Sequence, residues 1–178
     1  MTQPPPTTAL LMLGSNRDPL PNLRAALALL RAACTVVAVS SVYESAAEGS
    51  TAGGPPYLNA AVRVVTDQTA EAFKLGVLRT IESRLGRQRD GSAPGDVPID
   101  LDIALWGDTP LTYGSKPWRS PSPDMLTYAF VALPLAEIAP DTLHPETGQT
   151  LAEIAAHFAG SQLENLGRLL DKPGRADL

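Results

Sequence analysis

The chain has 178 residues, 44% hydrophobic and 19% charged, enough for one globular domain that buries its own core. A formal net charge of -5 argues against a general nucleic-acid binder, which needs a basic surface to displace counterions, so an anionic ligand must meet a local cluster of cations. The single cysteine, Cys34, excludes an internal disulfide and suits a reducing compartment; "MTQPPPTT" has no basic start of a leader, and no run approaches membrane-spanning length. A cytoplasmic monomer with no membrane or nucleic-acid partner is the expectation, with residues 1–178 as one domain, 1–7 a flexible start and about 160–178 a C-terminal extension.

Thr8 to Leu13 is a short apolar run closed by Gly14-Ser15-Asn16, which predicts a buried strand and a turn. Leu20, Leu23, Leu27 and Leu30 then recur at helical spacing, with Asp18 as N-cap and Pro19 at the first helical position. "TVVAVSSVYES" is rich in β-branched residues and predicts one strand, with Val37, Val39 and Ser41 on one face. After a Gly/Pro loop, Tyr57 to Val65 predicts the next strand. Thr69 can cap a second helix whose stripe is Phe73, Val77, Ile81 and Leu85, ending near Gly86. The strand "VPIDLDIALWGD" follows, and "AFVALPLAEIAP" and "LAEIAAHFAG" predict further helices. The order β-α-β, β-α-β is that of a ferredoxin-like split βαβ core, an α+β fold with an antiparallel sheet.

Side chains two apart on a strand point the same way, about 7 Å apart, so Asp100 and Asp102 share one face while Ile99, Leu101, Ile103 and Leu105 anchor the other. Carboxylates so placed suit magnesium, which takes oxygen ligands and completes its shell with water and substrate phosphate. The plain alternative is a half-exposed strand showing acids to water. Arg84, Arg87 and Arg89 in "ESRLGRQRDG" could face such a clamp, or simply complement a helix end. Tyr57 and Asn59 share a strand face and suit a flat heteroaromatic ring, although a half-buried tyrosine beside a turn needs no ligand. Gly14-Ser15-Asn16 is neither a P-loop nor a dinucleotide fingerprint, and His144 and His157 show no metal-ligand spacing.

"LGSNRDPLPNLRAAL", "VSSVYES", "PPYLNAAV", "IESRLGR", "PIDLDIALWGD" and "FVALPLAEIAP", in this order, resemble hydroxymethyl-dihydropterin pyrophosphokinase of the folate pathway, over roughly residues 9 to 158. The resemblance implies transfer of pyrophosphate from ATP to the hydroxymethyl oxygen of the pterin, AMP leaving, with two magnesium ions between carboxylates and phosphates. It implies Asp100 and Asp102 as metal ligands and, with Arg87, as the catalytic set. It implies Ser45, Tyr57, Asn59 and Phe130 as pterin contacts, Tyr57 and Phe130 sandwiching the ring. Glu82, Arg87, Arg89 and Ile103 fall on the ATP side.

The chain departs from the pattern on that side. Ala93, Pro94 and Val97 stand where the family carries two arginines and a tryptophan; Asp96 adds a negative charge; Ser122 replaces a histidine, and Tyr128 stands where an arginine is common. Lys116, Trp118 and Arg119 are the candidates to make up the loss. Two other readings stay open: a non-catalytic pterin- or nucleotide-binding relative, and a metal-dependent transferase with an altered substrate.

Overall fold

The structure, a computed structural model, describes residues 5–48, 52–88 and 96–171. Its main sheet contains β1 (Thr7–Ser15), β2 (Thr35–Val39), β3 (Tyr43–Ser45), β4 (Tyr57–Thr66), β5 (Asp100–Trp106) and the short β8 (Glu164–Asn165). The order is β5-β1-β4-β3-β8, with β2 also on β4 and every pair antiparallel. Strands β5, β1 and β4 followed by the β2/β3 edge give the expected ferredoxin-like α+β arrangement. A separate hairpin pairs β6 (Leu111–Tyr113) with β7 (Trp118–Ser120).

Helix α1 (Pro19–Ala33) buries Leu23, Ala26, Leu27 and Leu30 against the sheet. Asp18 occupies the N-cap position but does not cap: its backbone is left-handed (φ 44°, ψ 52°), not the extended geometry a capping carboxylate needs. Asn22 Nδ2 instead ties the helix start by donating to the Arg17 carbonyl at 2.7 Å.

Three further expectations give way to backbone irregularity. The strand over 35–45 is interrupted between Val39 and Tyr43, and within β2 the register against β4 shifts between Val36 and Ala38, leaving Val37 48% exposed. The second helix is capped by Thr69 as expected, but α2 (Ala70–Ala72) passes through a π-helical stretch, Phe73–Leu78, before α3 (Arg79–Arg84). The wider turn moves the buried stripe from Val77 to Leu78 and brings Lys74 inside. In β5 the pairing jumps from Leu105 opposite Leu10 to Ile103 opposite Leu11, leaving Ala104 as an extra residue. Leu105 therefore lies on the opposite side of the sheet from Leu101 and Ile103.

These shifts divide the apolar residues into two cores. Leu11, Leu13, Leu27, Val62, Phe73 and Leu101 pack under α1 and the α2–α3 segment. Leu10, Ala61, Leu105, Leu135 and Ile154 pack beneath α4 (Ala129–Ile138) and α5 (Leu151–Ala156) on the other face. Those two helices cover part of that face, and the uncovered part holds the candidate site. The segment at 160–171 is tied to the body: β8 pairs with Tyr43 and Glu44, and Leu170 is buried. Among the described residues no helix is long and apolar enough to cross a membrane.

Candidate active site

Three central strands place the polar residues in rows. Gly14 of β1 sits opposite Asn59 of β4 on one side and Asp100 of β5 on the other, and Met12 sits opposite Asp102. Tyr57, Asn59, Asp100 and Asp102 thereby border one cavity of about 300 Å³, to which Ser45, Arg87 and Phe130 also contribute. Gly14 is its floor: a Cβ there would lie 3.4 Å from Asn59 Oδ1 and 3.7 Å from the Tyr57 ring, so any side chain would occupy the space.

One wall is held by hydrogen bonds. Asn59 Nδ2 donates to Ser45 Oγ at 2.9 Å, which sets the amide orientation and ties β4 to β3. Behind β3, the Glu137 carboxylate of α4 accepts from Ser41 N (2.9 Å), Ser41 Oγ (3.0 Å) and Tyr43 Oη (2.9 Å). Burial and this bond to Glu137 push the Tyr43 hydroxyl up to about 12. Phe130, at the start of α4, stacks on Tyr128 with centroids 5.0 Å apart and planes at 23°, which limits how its ring can turn.

The opposite wall is crowded with charge. Burial first, then the negative charges of Asp102 and Glu82, push the Asp100 carboxyl up to about 7, while Arg87 and Lys74 pull it back. Arg87 Nη2 stands 3.9 Å from Asp100 Oδ1, a loose pairing, and its Nε is buried without a hydrogen-bond partner. Its backbone turns into the site because Gly86 (φ 86°) ends the helix and Arg87 N donates to the Glu82 carbonyl at 2.9 Å.

One expected nucleotide contact stands elsewhere. Glu82 is 1% exposed and its Oε1 accepts from Leu101 N at 2.8 Å, so it braces β5 from beneath instead of lining the cavity. Ile103 packs its side chain in the core under the sheet and still borders the cavity and the adjoining hollow lined by Trp118 and Arg119. Arg89, Ala93 and Pro94 lie outside the described residues. The remaining expected residues, Ser45, Tyr57, Asn59, Arg87, Asp100, Asp102 and Phe130, converge on the one cavity.

Sequence reasoning missed Lys74, whose Nζ donates to Asp102 Oδ1 and to the Leu101 carbonyl, both at 2.6 Å. Nothing in a 3.6-residue period signals a π-helical turn. It also missed Asp124, which borders the cavity and whose carboxyl is pushed up by burial and by Asp102. The carboxylate in "SPSPDML", soon after the acidic strand, was the available clue. "GSN" proves to be a clasp: Ser15 Oγ donates to the Pro98 carbonyl at 2.6 Å and Asn16 Oδ1 accepts from Val97 N at 2.6 Å, fixing the entry to β5. Asp96, the added negative charge, pairs with Arg17 at 3.1 Å.

A second hollow of about 320 Å³ shares Asp102, Ser122 and Asp124 with the first and is walled by Trp118 and Arg119. Trp118 is contacted by two neighbours, the Tyr113 ring at 5.7 Å between centroids and the Arg79 guanidinium at 5.2 Å. Arg119 Nη2 donates to Glu146 at 2.8 Å, and Lys116 borders neither hollow.

The donors at the aspartate pair are hard oxygens, and burial together with the neighbouring carboxylates Asp102 and Glu82 raises the Asp100 carboxyl. Hard oxygen donors fit magnesium. Among the described residues no third His, Cys, Asp or Glu completes a metal-binding group, so water and phosphate oxygens would fill the shell.

The sequence model of the 7,8-dihydro-6-hydroxymethylpterin-pyrophosphokinase (HPPK) family matches residues 10–140. A 2-amino-4-hydroxy-6-hydroxymethyldihydropteridine pyrophosphokinase of Synechocystis is 36% identical over 149 residues, 82% of this chain and 73% of that one. The protein of the same name in Haemophilus influenzae is 34% identical over 162 residues, 89% of this chain and 98% of that one. The crystal structure of Plasmodium falciparum HPPK-DHPS with pteroate superimposes with a TM-score of 0.67 at 14% identity, covering 90% of this chain and 44% of that chain, a likeness of fold. Because the match spans both the ring-facing strands and the acidic strand, at an identity sustained over nearly the whole chain, the chain belongs to the 7,8-dihydro-6-hydroxymethylpterin-pyrophosphokinase family.

Proposed function

We propose that this chain transfers the β,γ-pyrophosphoryl group of ATP to the hydroxymethyl oxygen of 6-hydroxymethyl-7,8-dihydropterin, releasing AMP, as a step of folate biosynthesis. The observation that carries the reading is the meeting of a flat-ring wall and a paired-carboxylate wall in one cavity of about 300 Å³. Tyr57 and Phe130 take the two faces of the pterin ring, and Asn59, its amide oriented by Ser45, reads the polar edge. The hydroxymethyl arm then points across Gly14 toward the aspartates.

In that pose the pterin oxygen forms a bond to the β-phosphorus while the bridge from that phosphorus to the α-phosphate oxygen breaks. The electrons of the broken bond leave with AMP, and the proton of the hydroxymethyl group is released to solvent. Negative charge accumulates on the transferring group, and Arg87, loosely held with a buried unpartnered Nε, can turn onto it. Magnesium at Asp100 and Asp102 would neutralise the phosphates and hold them in line. The adenosine end extends toward the hollow walled by Trp118 and Arg119, whose place beside Asp102 supports it as the nucleotide side. Holding both substrates in one pocket gives the reaction its orientation and keeps water from the phosphorus.

Incubating the protein with ATP, magnesium and the reduced pterin, and then separating the nucleotides, tests the reading. AMP and pterin pyrophosphate in equal amounts are expected. ADP, or AMP with inorganic pyrophosphate and unchanged pterin, would contradict it.

A further inference from the structure

The two aspartates have different cations. Arg87 approaches Asp100 loosely at 3.9 Å and retains a buried Nε without a partner, so it can be drawn away by a phosphate. Lys74 is the opposite case. Its side chain is 4% exposed, its Nζ is bonded to both Asp102 Oδ1 and the Leu101 carbonyl at 2.6 Å, and the π-helical stretch Phe73–Leu78 delivers it from below the sheet. It cannot follow a ligand into the cavity without breaking its bond to the β5 backbone. Asp102 itself reaches the cavity, with 60% of its side chain exposed.

An apolar residue would fill this place under β5 at no desolvation cost, whereas burying an ammonium is expensive unless it is paired and hydrogen-bonded. The charge therefore calls for a reason, and its position supplies one. A cation that approaches Asp102 finds one oxygen taken and a fixed positive charge on the same carboxylate. Repulsion between like charges at such short range, in a partly buried site, is strong.

We propose that Lys74 is a positioning residue that weakens divalent-cation binding to the aspartate pair while the nucleotide is absent, so that metal loads together with the triphosphate. The phosphate charges offset the ammonium; the carboxylates alone do not. Lys74 would also hold Asp102 in one orientation, its other oxygen turned to the cavity. The inference rests on the assignment of Asp100 and Asp102 to metal.

The test is a titration of the nucleotide-free protein with Mn²⁺, following loss of the free-ion EPR signal, repeated with α,β-methylene ATP, which the reaction cannot cleave. Lys74→Met should bind Mn²⁺ about tenfold or more tightly than the parent without nucleotide, and Lys74→Arg should stay within about threefold of it. With the analogue present, the parent and Lys74→Met should converge. Equal or weaker Mn²⁺ binding by folded Lys74→Met overturns the proposal. Should Lys74→Met not fold, Lys74→Gln, which can still donate to the Leu101 carbonyl, carries the same comparison with the same deciding outcomes. Asp100→Asn must weaken Mn²⁺ binding in every background; if it does not, the metal assignment itself fails, a result distinct from an unchanged Lys74→Met.

Discussion

The two walls of the cavity are built by opposite means. The ring-facing wall is closed on itself: Asn59 is bonded to Ser45, Glu137 holds Ser41 and Tyr43, and Phe130 is stacked on Tyr128. The other wall is built from charge: burial and neighbouring carboxylates raise Asp100 to about 7, and Arg87 is loosely paired with it at 3.9 Å. In the proposed function a ring of constant shape would be met by a pre-formed surface, and a charged, metal-bearing group by charges that its arrival completes. Preorganisation lowers the cost of binding for the first, and differential stabilisation in the transition state is what matters for the second.

Variants should therefore separate along this division. Asp100→Asn or Asp102→Asn should lower turnover by about 10³-fold or more, since metal and phosphate positioning act as a unit. Pterin affinity, followed by the ligand's fluorescence, should change by no more than about threefold. Arg87→Ala should cost about 10²–10³-fold in kcat, the scale for losing one group aimed at developing charge, again with pterin binding retained. On the other wall, Tyr57→Ala or Phe130→Ala should weaken pterin binding by about 1–3 kcal/mol per ring lost, while leaving affinity for the ATP analogue unchanged. If a ring-wall variant lost nucleotide binding instead, the division would be misplaced.

Smaller effects report on the scaffold. Glu137→Gln removes the charge from three hydrogen bonds and should cost about 2 kcal/mol, read as a fall in Tm of roughly 4–8 °C. The smallest concerns pH. The Asp100 carboxyl, at about 7 in the fold against about 3.9 unfolded, binds a proton that the unfolded chain has already released. Its contribution to stability is fully present below pH of about 4 and is lost as pH rises through about 7. With 40% of the side chain exposed, screening reduces the effect to about 1 kcal/mol, or about 2–4 °C of Tm between pH 5 and 8 without metal. Asp100→Asn should flatten that part of the profile.

Much of this was legible in the chain itself, for a definable reason. Apolar runs and helical spacing located β1, α1, β4, β5 and α4, because each contributes a run of side chains to one or both of the two cores. The i, i+2 rule put Asp100 beside Asp102 and Tyr57 beside Asn59 on cavity-facing strand faces. Periodicity failed where the backbone inserts one residue: at Val37 in β2, in the π-helical turn before Leu78, and at Ala104 in β5. Two of these irregularities bear on the site, since one delivers Lys74 and the other ends the acidic face of β5 after Asp102. Glu82 was placed on the nucleotide side by resemblance, and its bond to Leu101 N is a long-range contact that local sequence does not encode.

On the proposed function, the ring wall and the carboxylate pair serve one ligand assembly. Paramagnetic relaxation tests it most directly: with α,β-methylene ATP and one equivalent of Mn²⁺ bound, the hydroxymethyl protons of bound pterin should broaden strongly, and Asp100→Asn should restore them. Sharp hydroxymethyl signals in the parent protein, with pterin, nucleotide and Mn²⁺ all shown to be bound, would contradict the account.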